Sequence, residues 1–125
     1  MAKDHSREFV TLVDAAKAGV KEITVDEVLA RRQGGHTLRL IDVREDREWD
    51  AGHAVGATHL GRGIIERDIR KEVPALDEPL VLYCGGGFRS ALAAESLQKM
   101  GYTNVRSMAG GWSEWLARGG ATTTD

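Results

Sequence analysis

The chain has one cysteine, Cys84, among 125 residues. A lone cysteine excludes an internal disulfide and leaves the thiol either as buried filler or as chemistry. Paired CxxC motifs and HExxH, two common metal-site patterns, are both missing. No apolar run approaches the roughly 18 residues needed to span a bilayer. The first residues, MAKDHSREF, are charged and lack the apolar middle of a signal peptide. Charge of one sign is also scarce in excess: 17 basic residues against 19 acidic give a net charge of −2. That balance offers no general attraction to nucleic acid or to an anionic membrane. The chain therefore reads as cytosolic, without nucleic-acid or membrane partners.

What is present is ordinary globular material with one anomaly. Apolar residues make up 42% and charged residues 29%, enough to build a single core in a domain of this length. The anomaly is glycine. There are 15, and three in a row, Gly85 to Gly87, directly follow Cys84.

Periodicity predicts an amphipathic helix over 6–18, with Phe9, Leu12, Val13 and Ala16 on its apolar stripe. Thr24 and Glu27 form a capping-box pattern for a second helix that stops at Gly34-Gly35. Leu38 to Val43 reads as a short buried strand. Asp46 is placed to cap a brief helix containing Trp49, and Thr58–Leu60 reads as another strand. Ile64–Glu72 forms a polar helix with an apolar edge, ended by Pro74. Pro79–Cys84 is a continuous apolar run of the kind that lies buried on both faces of a sheet. Ser90–Met100 is a helix, Val105–Met108 a strand, and Trp112–Arg118 a last helix. Strands separated by helices require crossover connections, which imply one α/β domain around a mostly parallel sheet. Residues 1–21 form an N-terminal helical extension, 22–118 the domain proper, and 119–125 a frayed tail.

The chemistry gathers at Tyr83-Cys84-Gly85-Gly86-Gly87-Phe88-Arg89-Ser90. A cysteine ends a buried strand, a glycine loop follows, and a helix begins. In open parallel sheets the crevice beyond the strand C-termini is where ligands bind. Glycines can turn their amides inward to form an anion-binding nest. The helix start adds free N–H groups and a positive dipole end, and Arg89 adds a permanent cation. All of these favour a thiolate over a thiol, so the loop is suited to a nucleophilic Cys84.

These residues resemble the rhodanese-like sulfurtransferases, specifically the single-domain bacterial kind. The resemblance spans roughly 22–118 and rests on four blocks: Asp42-Val43-Arg44 with Glu48-Trp49; Gly52 to Ala57; Tyr83 to Ser90; and Ala109-Gly110-Gly111-Trp112 with Trp115. It implies a five-stranded, mostly parallel sheet flanked by helices on both faces. It also implies a catalytic Cys84 that carries sulfur as a persulfide, held by the loop Gly85, Gly86, Gly87, Phe88, Arg89 and Ser90. The donor would be thiosulfate or a low-molecular-weight persulfide, and the acceptor cyanide, a thiol or a protein. No metal or organic cofactor is implied.

Asp42 and Arg44 are supporting residues near the site. Asp42 reads as an orienting or capping carboxylate rather than a base. Arg44 has two readings, substrate contact or an ion pair that braces the loop. His53 and His59 read as structural, Trp112 and Trp115 as core, and Arg62 and Arg67 as either rim cations or a solvated face. Where thiosulfate-specific relatives often carry a basic residue just after the cysteine, this chain has glycine, which favours a persulfide donor. Two rivals remain. A non-catalytic partner-binding module would typically lack the cysteine, and a cysteine phosphatase would need five residues between cysteine and arginine where this chain has four.

Overall fold

The computed structural model describes residues 5–36 and 38–125; residues 1–4 of the expected N-terminal extension lie outside them. Along the chain run α1 (Arg7–Lys17), β1 (Lys21–Ile23), α2 (Val25–Gln33), β2 (Arg39–Asp42), α3 (Asp46–Ala51), β3 (His53–Ala54) and β4 (Thr58–His59). There follow α4 (Ile65–Glu72), β5 (Leu80–Tyr83), α5 (Phe88–Lys99), β6 (Val105–Met108), α6 (Gly111–Ala117) and β7 (Thr122–Thr123). Five strands form one sheet in the order β1-β6-β5-β2-β4, and every pairing in it is parallel.

The central strand β5 is buried on both faces because its side chains alternate between two apolar layers. Leu80, Leu82 and Cys84 pack with Ile65 and Ile69 of α4 and Ala93, Ala94 and Leu97 of α5. Val81 and Tyr83 point the other way, to Val25 and Val28 of α2 and Trp115 of α6. Each buried branched side chain contributes about 1.5–3 kcal/mol relative to exposure, and helices cover both faces as an all-parallel sheet requires.

The local signals in the sequence produce their elements. Ser6 caps α1 by accepting the Phe9 N–H at 3.1 Å, and Thr24 with Glu27 closes the capping box of α2. Four expectations are corrected. Glu45, not Asp46, is the N-cap of α3, and its own N–H is taken by the Glu48 carboxylate at 3.1 Å. The helix after the glycine loop starts at Phe88 rather than Ser90. Leu12, expected on the apolar stripe of α1, is exposed; Val13 and Ala16 are the residues that α1 buries. The tail expected to fray contains β7, which pairs antiparallel with β3, Thr123 opposite His53 and Thr122 opposite Ala54. Among the described residues no helix is long and apolar enough to cross a membrane.

Candidate active site

Cys84 follows β5 directly and continues its alternation into the core layer beneath α5, with 1% of its surface exposed. The turn that follows depends on Gly87. It has φ +97°, in the left-handed region, and a Cβ there would stand 3.3 Å from the Gly110 nitrogen. Only glycine meets both conditions without strain. The turn aims the Gly87 N–H at Cys84 Sγ, 3.1 Å away, and the Ser90 N–H reaches the same sulfur at 3.4 Å. The thiol donates to Ser90 Oγ at 3.6 Å, and Ser90 Oγ is held in turn by Ser107 Oγ at 2.8 Å.

The loop is also fixed from behind. The first amides of α6 are spent on its carbonyls: Trp112 N–H donates to Cys84 O at 2.7 Å and Ser113 N–H to Gly85 O at 3.1 Å. Gly111, with φ +51°, lies so close to Cys84 O that no Cβ fits. With these carbonyls tied to α6, the Gly87 and Ser90 amides on the loop's other side are left for the sulfur.

Arg89 is placed differently from the sequence expectation. Its guanidinium does not stand as a free cation; Nη1 and Nη2 donate to the two carboxylate oxygens of Glu48 at 2.8 and 3.1 Å. Those hydrogen bonds pull the Glu48 carboxyl down to about 2 and, in return, raise the Arg89 guanidinium. Phe88 turns toward α1, its ring 4.6 Å from His5 and 6.0 Å from Phe9, with Lys17 Nζ 5.1 Å above it.

Asp42 and Arg44 are both buried. Arg44 Nε and Nη2 grip the Asp42 carboxylate, Nη2 also donates to Gly52 O at 2.7 Å, and the guanidinium lies over the Trp112 ring at 4.6 Å. Of its two readings, this geometry realises the ion pair, which occupies Nε and Nη2, while Arg44 also lines the cleft beside the Cys84 loop. His53 is stacked on Trp49 with ring centroids 3.3 Å apart and contacts Trp49 O and Asp125 O through its two ring nitrogens. His59 also stacks on Trp49, ring centroids 4.9 Å apart, and contacts Arg44 O at 2.8 Å. Trp115 is core and Trp112 packs partly buried against it. Arg67 lies on the surface, paired to Asp68. Among the described residues no group of three or more His, Cys, Asp or Glu could hold a metal ion.

Glu48, Ser107, Gly110 and Gly111 complete the site and are not among the candidate residues the sequence points to. Glu48 and the glycine pair lie inside the resemblance blocks, which is the one signal that could have found them. An open cleft of about 690 Å³ adjoins the loop, lined among others by Arg89, Arg44, Glu45, Arg47, Arg62 and Ile64.

Comparison with known proteins places this geometry. The model of the Rhodanese-like domain family matches residues 24–118. The thiosulfate sulfurtransferase GlpE of Pseudomonas entomophila is 36% identical over 95 residues, covering 76% of this chain and 84% of that one. An uncharacterized Bacillus subtilis protein, YqhL, is 35% identical over 96 residues, or 77% of this chain and 72% of its own. A solved structure from Rhodopseudomonas palustris, described as a protein of unknown function and possible tyrosine phosphatase, superposes with TM-score 0.82. It is 29% identical and covers 98% of this chain and 99% of its own. The parallel sheet, the cysteine loop at its C-terminal edge and the matched span agree: the chain belongs to the rhodanese-like domain family.

Proposed function

We propose that the protein is a sulfurtransferase that carries sulfane sulfur as a persulfide on Cys84. The observation that carries this reading is the pair of loop amides, Gly87 and Ser90, aimed at Cys84 Sγ. Donors fixed in advance on a sulfur stabilise negative charge there without reorganising during the reaction. The Cys84 thiolate attacks the outer sulfur of the donor. A new S–S bond forms to Cys84 as the donor's own S–S bond breaks, releasing sulfite from thiosulfate or a thiolate from a persulfide. An acceptor thiolate or cyanide then attacks the terminal sulfur, takes it, and returns Cys84 as the thiolate. A protein thiol is a further candidate acceptor.

The Glu48–Arg89 pair supports a persulfide donor over thiosulfate. Thiosulfate is a strongly hydrated dianion whose binding calls for uncompensated positive charge, whereas the loop's one cation is already balanced by a carboxylate. A phosphatase is disfavoured by the same pair and by the four-residue spacing from Cys84 to Arg89. Retention of Cys84 with its donors argues against a purely non-catalytic module.

Intact-protein mass spectrometry after incubation with thiosulfate or glutathione persulfide tests the reading. The expected result is a gain of one sulfur that cyanide removes and that Cys84→Ser lacks. No gain with either donor, or turnover of p-nitrophenyl phosphate that depends on Cys84, would overturn it.

A further inference from the structure

The cleft beside the Cys84 loop is lined by an arginine with an unspent donor. Sheet order explains why the cleft is there: β5, β2 and β4 are neighbours, so the segments leaving their C-terminal ends lie side by side. Adjacent strands are about 4.8 Å apart, so the ends of β5 and β4 are separated by about 10 Å. Arg89, from the loop after β5, and Arg62, from the segment after β4, both line the cleft.

Arg62 is held by its backbone, its N–H donating to Val43 O at 2.9 Å. Its side chain is only half-satisfied. Nη1 makes a long 3.3 Å contact to Glu66, across a pair that is partly exposed on both sides. Its Nε is buried and has no hydrogen-bond partner among the described residues. Acidic groups on the facing wall do not compete for it: Glu45 reaches Arg47 at 3.9 Å and Asp46 reaches His59 at 3.8 Å. A buried donor without a partner is rare in folded proteins. Nε is enclosed by the protein, so the group the cleft can use is the terminal Nη2, which makes no hydrogen bond among the described residues; a charged terminal nitrogen suits a carboxylate.

We propose that Arg62 binds the carboxylate of a low-molecular-weight thiol persulfide whose sulfane sulfur enters the Cys84 loop. This rests on the persulfide reading of Cys84 and narrows its donor to carboxylate-bearing thiols long enough to bridge the cleft. The charged end and the reacting sulfur are thus recognised at separate places, and the loop itself needs no further cation.

The test compares two donors, glutathione persulfide, which carries carboxylates, and cysteamine persulfide, which carries none. Arg62→Gln should raise KM for glutathione persulfide by about tenfold, the size of one lost charge-assisted contact, with kcat little altered. The KM for cysteamine persulfide should move by less than about twofold. Arg62→Lys should recover part of the loss, and Glu66→Gln, which frees the guanidinium, should lower KM for glutathione persulfide. Equal changes for both donors, no change for either, or a comparable rise for thiosulfate would overturn the role of Arg62. Sulfur loading on Cys84, followed by mass in each variant, separates the two levels. Loading without the donor-dependent KM split refutes Arg62 alone, whereas no loading in the unmutated protein refutes both.

Discussion

Glu48 and Arg89, 41 positions apart, are joined by two hydrogen bonds of 2.8 and 3.1 Å. One carboxylate thereby serves two segments, because Glu48 also accepts the Glu45 N–H that opens α3. The pair fastens the Cys84 loop to the segment after β2 and balances the one charged side chain in that loop.

Glu48→Gln should make this contribution measurable through pH. The Glu48 carboxyl is lowered from 4.5 to about 2, mainly by the Arg89 hydrogen bond. A lowered acid stabilises the fold fully above its unfolded value and loses that stabilisation as pH falls toward its folded value. The pair is partly screened by solvent, so we expect Glu48→Gln to cost about 1–2 kcal/mol at pH 7. Urea unfolding at stepped pH should show the two proteins converging between about pH 5 and pH 2. A difference that stays constant over that range would mean the carboxylate charge contributes nothing.

Gly86 and Gly87 should behave oppositely. At Gly86 a Cβ meets nothing within 4 Å, whereas at Gly87 it meets Gly110 at 3.3 Å on a backbone with φ +97°. Gly86→Ala should stay within about 0.5 kcal/mol of the parent. Gly87→Ala should cost about 1–2 kcal/mol and slow sulfur loading on Cys84 by more than about tenfold, because the Gly87 amide is displaced from the sulfur. Loading rates by quenched mass spectrometry, beside thermal unfolding, decide between them.

Asp42→Asn should act on the fold and not on substrate affinity. It leaves the buried Arg44 guanidinium without its counter-charge, which typically costs about 3–5 kcal/mol. Restoring an uncharged pair with Asp42→Leu and Arg44→Met should recover much of that loss. A KM effect in a well-folded Arg44→Met single variant would instead show that Arg44 contacts substrate.

Gly85→Arg tests the charge argument for donor choice. A Cβ at Gly85 comes within 3.2 Å of Arg89 Nη2, so the Arg89–Glu48 pair must shift by a few tenths of an ångström to admit it. One added cation should improve thiosulfate use through KM by up to about tenfold. Paired thiosulfate and glutathione persulfide titrations at matched salt provide the check; an unchanged thiosulfate KM would remove charge as the reason for the preference.

Elements whose signal is local are legible in the sequence itself. Val105–Met108 is a strand over the predicted residues, the Thr24–Glu27 box forms, and the apolar run to Cys84 is the central strand. β1 was unreadable because two of its three residues, Lys21 and Glu22, are exposed, leaving no alternation to detect. β7 was unreadable because Thr122–Thr123 becomes a strand only by finding His53–Ala54 far away in the chain. The early start of α5 at Phe88 reflects a cap made by the left-handed Gly87 and not by a side chain. The site divides in the same way. Cys84, Gly87 and Ser90 lie within seven consecutive residues and are legible together, while Glu48, Ser107 and Gly111 arrive from other elements and carry no local mark of their partners.

The tie between α6 and the back of the loop makes two amides into remote witnesses of the sulfur chemistry. Trp112 and Ser113 donate to the carbonyls of Cys84 and Gly85. Their protons can therefore exchange with deuterated solvent only when that part of the loop parts from the helix. Exchange at these two positions gives a clock for loop opening that can be read with the cysteine free, sulfur-loaded or alkylated.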